Sequence, residues 1–179
     1  MLLLLSACTG GSHDTVSEKQ TEASGMQGIS VEQPVDMQTV KADSSFLWLS
    51  NGDALRQRHL CIYSYEGQRL DAMELFQKRD SVMQRHIKGA TDSIYMVTVK
   101  QSVSHATVQI DGTPKLKLSG LWQMENDAMG GPFVSYAVVD TLRGRIVVAD
   151  GFVYAPGKQK ETMMQRLEEK VRTISIKNK

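Results

Sequence analysis

Two cysteines in 179 residues, Cys8 and Cys61, are too few for a disulfide framework or a cysteine-built zinc site. An excess of one charge is also missing. The 21 basic and 20 acidic side chains leave a formal net charge of +1, without the basic surplus that marks nucleic-acid binding. No apolar run approaches the ~20 residues of a membrane-spanning helix, and the opening leucines stop at Leu5. Catalytic signatures are absent as well: there is no GxSxG, P-loop or GxGxxG. His13, His59, His86 and His105 are scattered without HExxH or other metal-ligand spacing, so each reads as a surface or strand histidine. No cofactor and no metal site is implied. What remains is ordinary globular composition, 41% hydrophobic and 23% charged.

The start, MLLLLSAC, places a leucine, two small residues and a cysteine in order. Leu5-Ser6-Ala7-Cys8 resembles the lipobox of bacterial lipoproteins. That resemblance implies cleavage before Cys8, acylation of its thiol and new amino terminus, and an anchor in which each buried CH₂ contributes ~0.8 kcal/mol. It also implies a cell-envelope location, at the outer membrane or its periplasmic face. A working signal carries a basic n-region and ~7–15 apolar residues. Here no Lys or Arg precedes Cys8. Residues 1–8 therefore read as a truncated lipoprotein signal whose start lies upstream, or as a copy that is not exported.

Residues 9–27 contain no aromatic residue and carry three acids against one base, which predicts a flexible linker. From Gly28 to Lys179 the balance becomes 20 bases against 17 acids, +3, and all eleven aromatics fall here. This length suits one domain. With Cys8 acylated, Cys61 has no partner, and among the strand formers of HLCIYSY it is expected to be a small buried hydrophobe.

Within residues 28–179 the hydrophobic period is mostly two. Strands are predicted at 29–31, 37–41, 46–49, 58–65, 93–100, 106–110, 115–123, 133–139 and 145–153. Asp111-Gly112 marks a hairpin. In the strand after it, Leu116 and Leu118 are expected inward and Lys115 and Lys117 outward. Two helices interrupt the strands. The first, within Arg69–Lys88, has Asp71 and Glu74 at its N-terminus and Met73, Phe76, Met83 and Ile87 on its apolar stripe; the second, at 159–173, buries Met164, Leu167 and Val171. This order predicts an α+β fold, mainly an antiparallel β-sheet with two packed helices. The opening GISVEQP with two short strands is similar to the start of the Mog1/PsbP-like fold.

LSGLWQMENDAMGGPFVS (Leu118 to Ser135), GFVYAP (Gly151 to Pro156) and a helix containing QRLEEKV resemble the C-terminal part of a bacterial lipoprotein family known as domain of unknown function 4837. The resemblance runs from Gly28 to Ile176. It implies envelope attachment and no known activity, and a further domain before this region whose place the linker takes.

In the central motif, Trp122 closes a strand and Gly130-Gly131-Pro132 opens the next, leaving an exposed connection of about eight residues. One reading is a structural hairpin cap, in which Asn126 and Asp127 tie the loop, Gly130 and Gly131 allow positive φ or a close approach, and Trp122 fills the core. The other is a small-ligand or cation site spanning Glu125 to Gly131, with Glu125 and Asp127 supplying oxygens and Trp122 or Tyr154 a stacking face. Two carboxylates alone make a poor Ca²⁺ site. A hydrolase using Glu125 or Asp127 as acid or base is the catalytic alternative. The expectation overall is a lipid-anchored, non-catalytic module that meets an envelope protein partner or small ligand through one face of its sheet.

Overall fold

The computed structural model describes Met26 and residues 28–177; the lipobox, Cys8 and nearly all of the 9–27 linker lie outside the described residues. Ten strands and two helices follow in order: β1 (Ile29–Ser30), β2 (Gln38–Ala42), β3 (Phe46–Ser50), β4 (Gln57–Glu66), α1 (Ala72–His86), β5 (Met96–Thr98), β6 (Ser104–Ile110), β7 (Thr113–Met124), β8 (Gly130–Asp140), β9 (Arg145–Tyr154), α2 (Glu161–Val171) and β10 (Ser175–Ile176). Eight strands form one antiparallel sheet, seven of them in the order β2-β3-β4-β9-β8-β7-β5 and the eighth, β6, off this path beside β7. Besides β8, the long β7 serves two more neighbours, pairing with β6 through its first half and with β5 through its end. β1 and β10 make a separate two-stranded clasp that brings the two ends of the domain together.

The α+β architecture thus matches the expectation. β9 and β4 explain why the sheet is two-sided. Nearly every residue of β9 is buried, because α1 covers one face and α2 the other. Cys61, Tyr63, Phe133, Val148 and Phe152 point toward Leu75 and Met83 of α1. Their neighbours Leu60, Ile62, Val134, Val147 and Val153 point toward Leu167 and Val171 of α2. Period-two alternation survives, but both phases are apolar.

Gly151 lets α2 approach β9 closely: a Cβ there would lie 2.8 Å from Leu167 Cγ and Val171 Cγ2. The Asp111-Gly112 turn joins β6 to β7 with positive φ at both residues, as a two-residue hairpin requires. α1 begins where expected, with the Asp71 carboxylate accepting the Glu74 amide at 2.9 Å.

Four expectations are corrected. The buried stripe of α1 is Leu75, Arg79 and Met83, spaced by four residues, whereas Met73 falls off that face and is exposed. The strand predicted at 93–100 shrinks to β5, because a 3₁₀ turn at Lys100–Ser102 follows it. The connection between β7 and β8 is five residues, Glu125 to Met129, and the glycine pair already belongs to β8. Lys115 is buried and Lys117 half-buried, neither being fully turned out to solvent. They lie beneath the end of α2, where Lys115 Nζ donates to the carbonyls of Arg172 and Ile174 at 2.7 and 2.6 Å, and Lys117 pairs with Glu168 at 2.5 Å. A buried ammonium there satisfies carbonyls that the helix end leaves open.

Candidate functional site

The predicted loop is a hairpin end whose backbone accounts for most of its sequence. Asn126 adopts φ 58° and its amide donates to the Ser93 carbonyl at 3.0 Å, fastening the hairpin to the segment before β5. The Glu125 amide reaches the Tyr95 carbonyl at 2.8 Å. Gly130 and Gly131 have no positive φ; Gly131 sits so close to β9 that a Cβ would stand 2.0 Å from the Val153 carbonyl. Trp122 is 2% exposed and packs edge-on against Phe152 at 5.4 Å, with Tyr154 at 6.4 Å. Its rings fill the core, so only the half-buried Tyr154 has any face toward solvent. Asn126 and Asp127 are exposed and Glu125 is half-buried. Among the described residues no three His, Cys, Asp or Glu side chains converge on a metal-sized position.

The fold assembles a second polar group that the sequence reading missed. Under α1, the Arg79 guanidinium donates through Nε and Nη2 to the two Asp150 oxygens at 2.7 and 3.3 Å, and through Nη1 to Thr98 Oγ1 at 2.8 Å. Ser135 Oγ donates to Asp150, and the Arg79 guanidinium carbon lies 3.6 Å from the Phe133 ring centre. Arg79, Asp150 and Ser135 are all completely buried. Burial pushes the Asp150 carboxyl up, while Arg79 and Ser135 pull it back. The neighbouring Cys61 thiol is pushed well up by burial and by Asp150, which keeps it an unreactive thiol. Two signals were available: an arginine at the centre of an apolar helical stripe, and an aspartate inside the otherwise apolar run IVVADGFVY.

Histidines are also held in place. Trp48 Nε1 donates to His59 Nδ1 at 3.1 Å, His59 Nε2 meets Gln57 Oε1 at 3.2 Å, and the imidazole stacks on Phe152 at 4.5 Å. Both contacts fit the neutral ring, and burial lowers its pKa to about 4. His86 stacks on Phe46 at 3.9 Å.

Open concave surface lies along α2. One cavity of about 250 Å³ is lined by Asn51, Asp53, Arg56, Arg58, Thr162, Met163 and Arg166. A second, of about 450 Å³, runs on from it past Arg58 and Arg166 to Gln33, Pro34, Val35, Asp36, Leu167, Glu169 and Lys170. Arg58 pairs with Asp36, and Lys170 with Glu32 at 2.7 Å. A third cavity, of about 340 Å³, lies beside the end of α1, around Arg85, Lys88 and Tyr95. None of these three is lined by residues 122–131.

Two solved structures share the fold. A Mog1 point mutant is 15% identical with a TM-score of 0.52, and the Saccharomyces cerevisiae Ran-binding protein Mog1p is 16% identical with a TM-score of 0.51; each match covers 83% of this chain and 90% of the other. At that identity the likeness establishes the architecture alone. No curated protein matches the chain by sequence. The family model described as "Domain of unknown function (DUF4837)" matches residues 16–173, reaching back into the segment read as linker. Spanning nearly the whole chain, that match and the motif around Trp122 and Gly131 agree: the chain belongs to the DUF4837 family.

Proposed function

We propose that the chain is a lipid-anchored protein of the cell envelope whose folded domain is a non-catalytic binding module. One observation carries the binding half of this reading. The polar side chains that the fold gathers most tightly, Arg79, Asp150, Ser135 and Thr98, are at most 8% exposed and spend their donors and acceptors on one another. Groups sealed in this way hold α1 to the sheet and are out of reach of a substrate. Surface left for recognition lies at the rim, in the joined cavities along α2. The scaffold suits such a role, since the yeast protein of similar fold is described as Ran-binding.

The anchor rests on Leu5-Ser6-Ala7-Cys8 and the polar stretch behind it. Acyl chains on Cys8 would tether the domain through residues 9–27 and present it to a partner in the same compartment. Metabolic labelling with a fatty acid tests this: wild type incorporates label and Cys8→Ser does not. Equal labelling of the two removes the anchor. For the binding role, solubilised membranes at native expression should yield a stoichiometric partner protein. A chain recovered alone under those conditions argues against it.

A further inference from the structure

We propose that the cavity between the β3–β4 loop and α2 is a binding site for a phosphate group, carried by a soluble phosphate compound or by a lipid headgroup. This rests on the binding-module half of the preceding reading and not on the anchor. Three arginines, Arg56, Arg58 and Arg166, line the cavity against a single acid, Asp53. Asp53 Oδ1 accepts the backbone amides of Leu55 and Arg56 at 2.8 and 2.9 Å, so it shapes the loop that carries Arg56, and its single charge offsets part of the charge of Arg56 and Arg58. Arg58 is shared with Asp36. The side chains of Arg56 and Arg166 are exposed and have no ion-pair or hydrogen-bond partner among the described residues. Two exposed guanidinium groups without a direct ion pair therefore flank a third, arriving from different elements at one concave surface.

That arrangement selects the ligand by charge and shape. A guanidinium fork matches the edge of a carboxylate or phosphate. One carboxylate has two oxygens and is satisfied by one fork; a phosphate monoester presents three oxygens and up to two charges, which suits several arginines approaching from different sides. A volume of about 250 Å³ is below the ~300–1,000 Å³ of sites for drug-sized ligands and fits a charged head group. The cavity continues past Arg58 and Arg166 into the larger one, where the fully exposed Val35 stands at the rim. A longer apolar or polar remainder has room to lie there.

The full chain carrying Cys8→Ser, which removes any acyl contribution, is titrated with inorganic phosphate and separately sedimented with vesicles of phosphatidic acid, a phosphomonoester headgroup, in phosphatidylcholine, with pure phosphatidylcholine as reference. Arg56→Gln and Arg166→Gln are each expected to weaken binding about tenfold. Arg166→Lys, which keeps the charge without the fork, retains part of the affinity. Arg85→Gln, an exposed arginine beside the cavity at α1, leaves it unchanged. Phosphate binding without vesicle binding assigns the site to a soluble compound; binding to phosphatidic acid vesicles that phosphate competes away assigns it to a headgroup. The proposal is overturned if neither probe binds saturably, or if binding ignores Arg56 and Arg166, or falls equally with Arg85→Gln. Such failure leaves Cys8 labelling and partner recovery untouched, so the two readings fall separately.

Discussion

Replacing Arg79 with methionine tests the claim that the buried polar group holds α1 on the sheet. The substitution keeps the stem's apolar bulk and deletes three donors: two to Asp150 and one to Thr98. It also removes the cation from the face of Phe133. Asp150 is left as a buried carboxylate with Ser135 as its remaining side-chain partner, and removing one member of a buried pair costs ~3–5 kcal/mol. Domains of this kind have ~5–15 kcal/mol in total. At ~2–4 °C per kcal/mol for a chain of this size, Arg79→Met should lower the melting temperature by roughly 6–20 °C. Urea denaturation followed by tryptophan fluorescence gives the free energy directly, since Trp122 is buried in the core on the α1 side and the half-buried Trp48 packs against it. Combining Arg79→Met with Asp150→Leu and Ser135→Ala should recover most of the loss, because an apolar replacement of a whole buried pair is often neutral. Two results would refute the reasoning: a cost below ~1 kcal/mol for Arg79→Met, or a combined variant as unstable as the sum of its parts.

Acid should destabilise the protein through His59. Its pKa falls from 6.5 to about 4 on folding because burial disfavours the charged ring, so the unfolded chain takes up the proton first. Stability is complete above pH 6.5, declines as pH drops toward 4 and levels off below, with a total loss of about 3 kcal/mol. His86, also lowered chiefly by burial, acts in the same direction. His59→Gln should flatten this limb in denaturation curves taken across that range; an unchanged slope assigns it to other groups. Lys115→Met strips the ammonium from the Arg172 and Ile174 carbonyls and should cost ~1–3 kcal/mol, read as a shift in urea midpoint at constant slope. Gly151→Ala forces a methyl against Leu167 and Val171 and should cost ~1–3 kcal/mol by the same measurement, whereas an unaltered midpoint would mean that α2 stands farther from β9.

Most strands were legible because period-two alternation and turn chemistry act over short distances. Asp111-Gly112 fixed the β6–β7 hairpin, and Asp71 with Glu74 fixed the start of α1. Misreadings arose where a residue's environment is set by a distant element. Lys115 and Lys117 alternate correctly with Leu116 and Leu118, yet α2, some fifty residues later in the chain, covers the side they face. Arg79 was not singled out from the sequence, because its partner Asp150 is 71 residues away. β10 is two residues long and exists only because β1 lies beside it.

The same contrast bears on function. The segment from Trp122 to Phe133 is the most distinctive in the chain, and each odd feature in it answers a constraint of the fold. Asn126 supplies a left-handed turn, Gly131 makes room for the Val153 carbonyl, and Trp122 fills the core beside Phe152. Side chains facing the open cavity along α2 come instead from separate segments with unremarkable sequence: Arg56 and Arg58 beside a turn, and Arg166 in a charged helix. Their spacing in sequence carries no signal, because pairing of β3 with β4 and the seating of α2 on Gly151 are what bring them to one surface. Distinctive sequence in this protein therefore marks where the backbone is tightly constrained, and the surface available to a ligand is a product of topology.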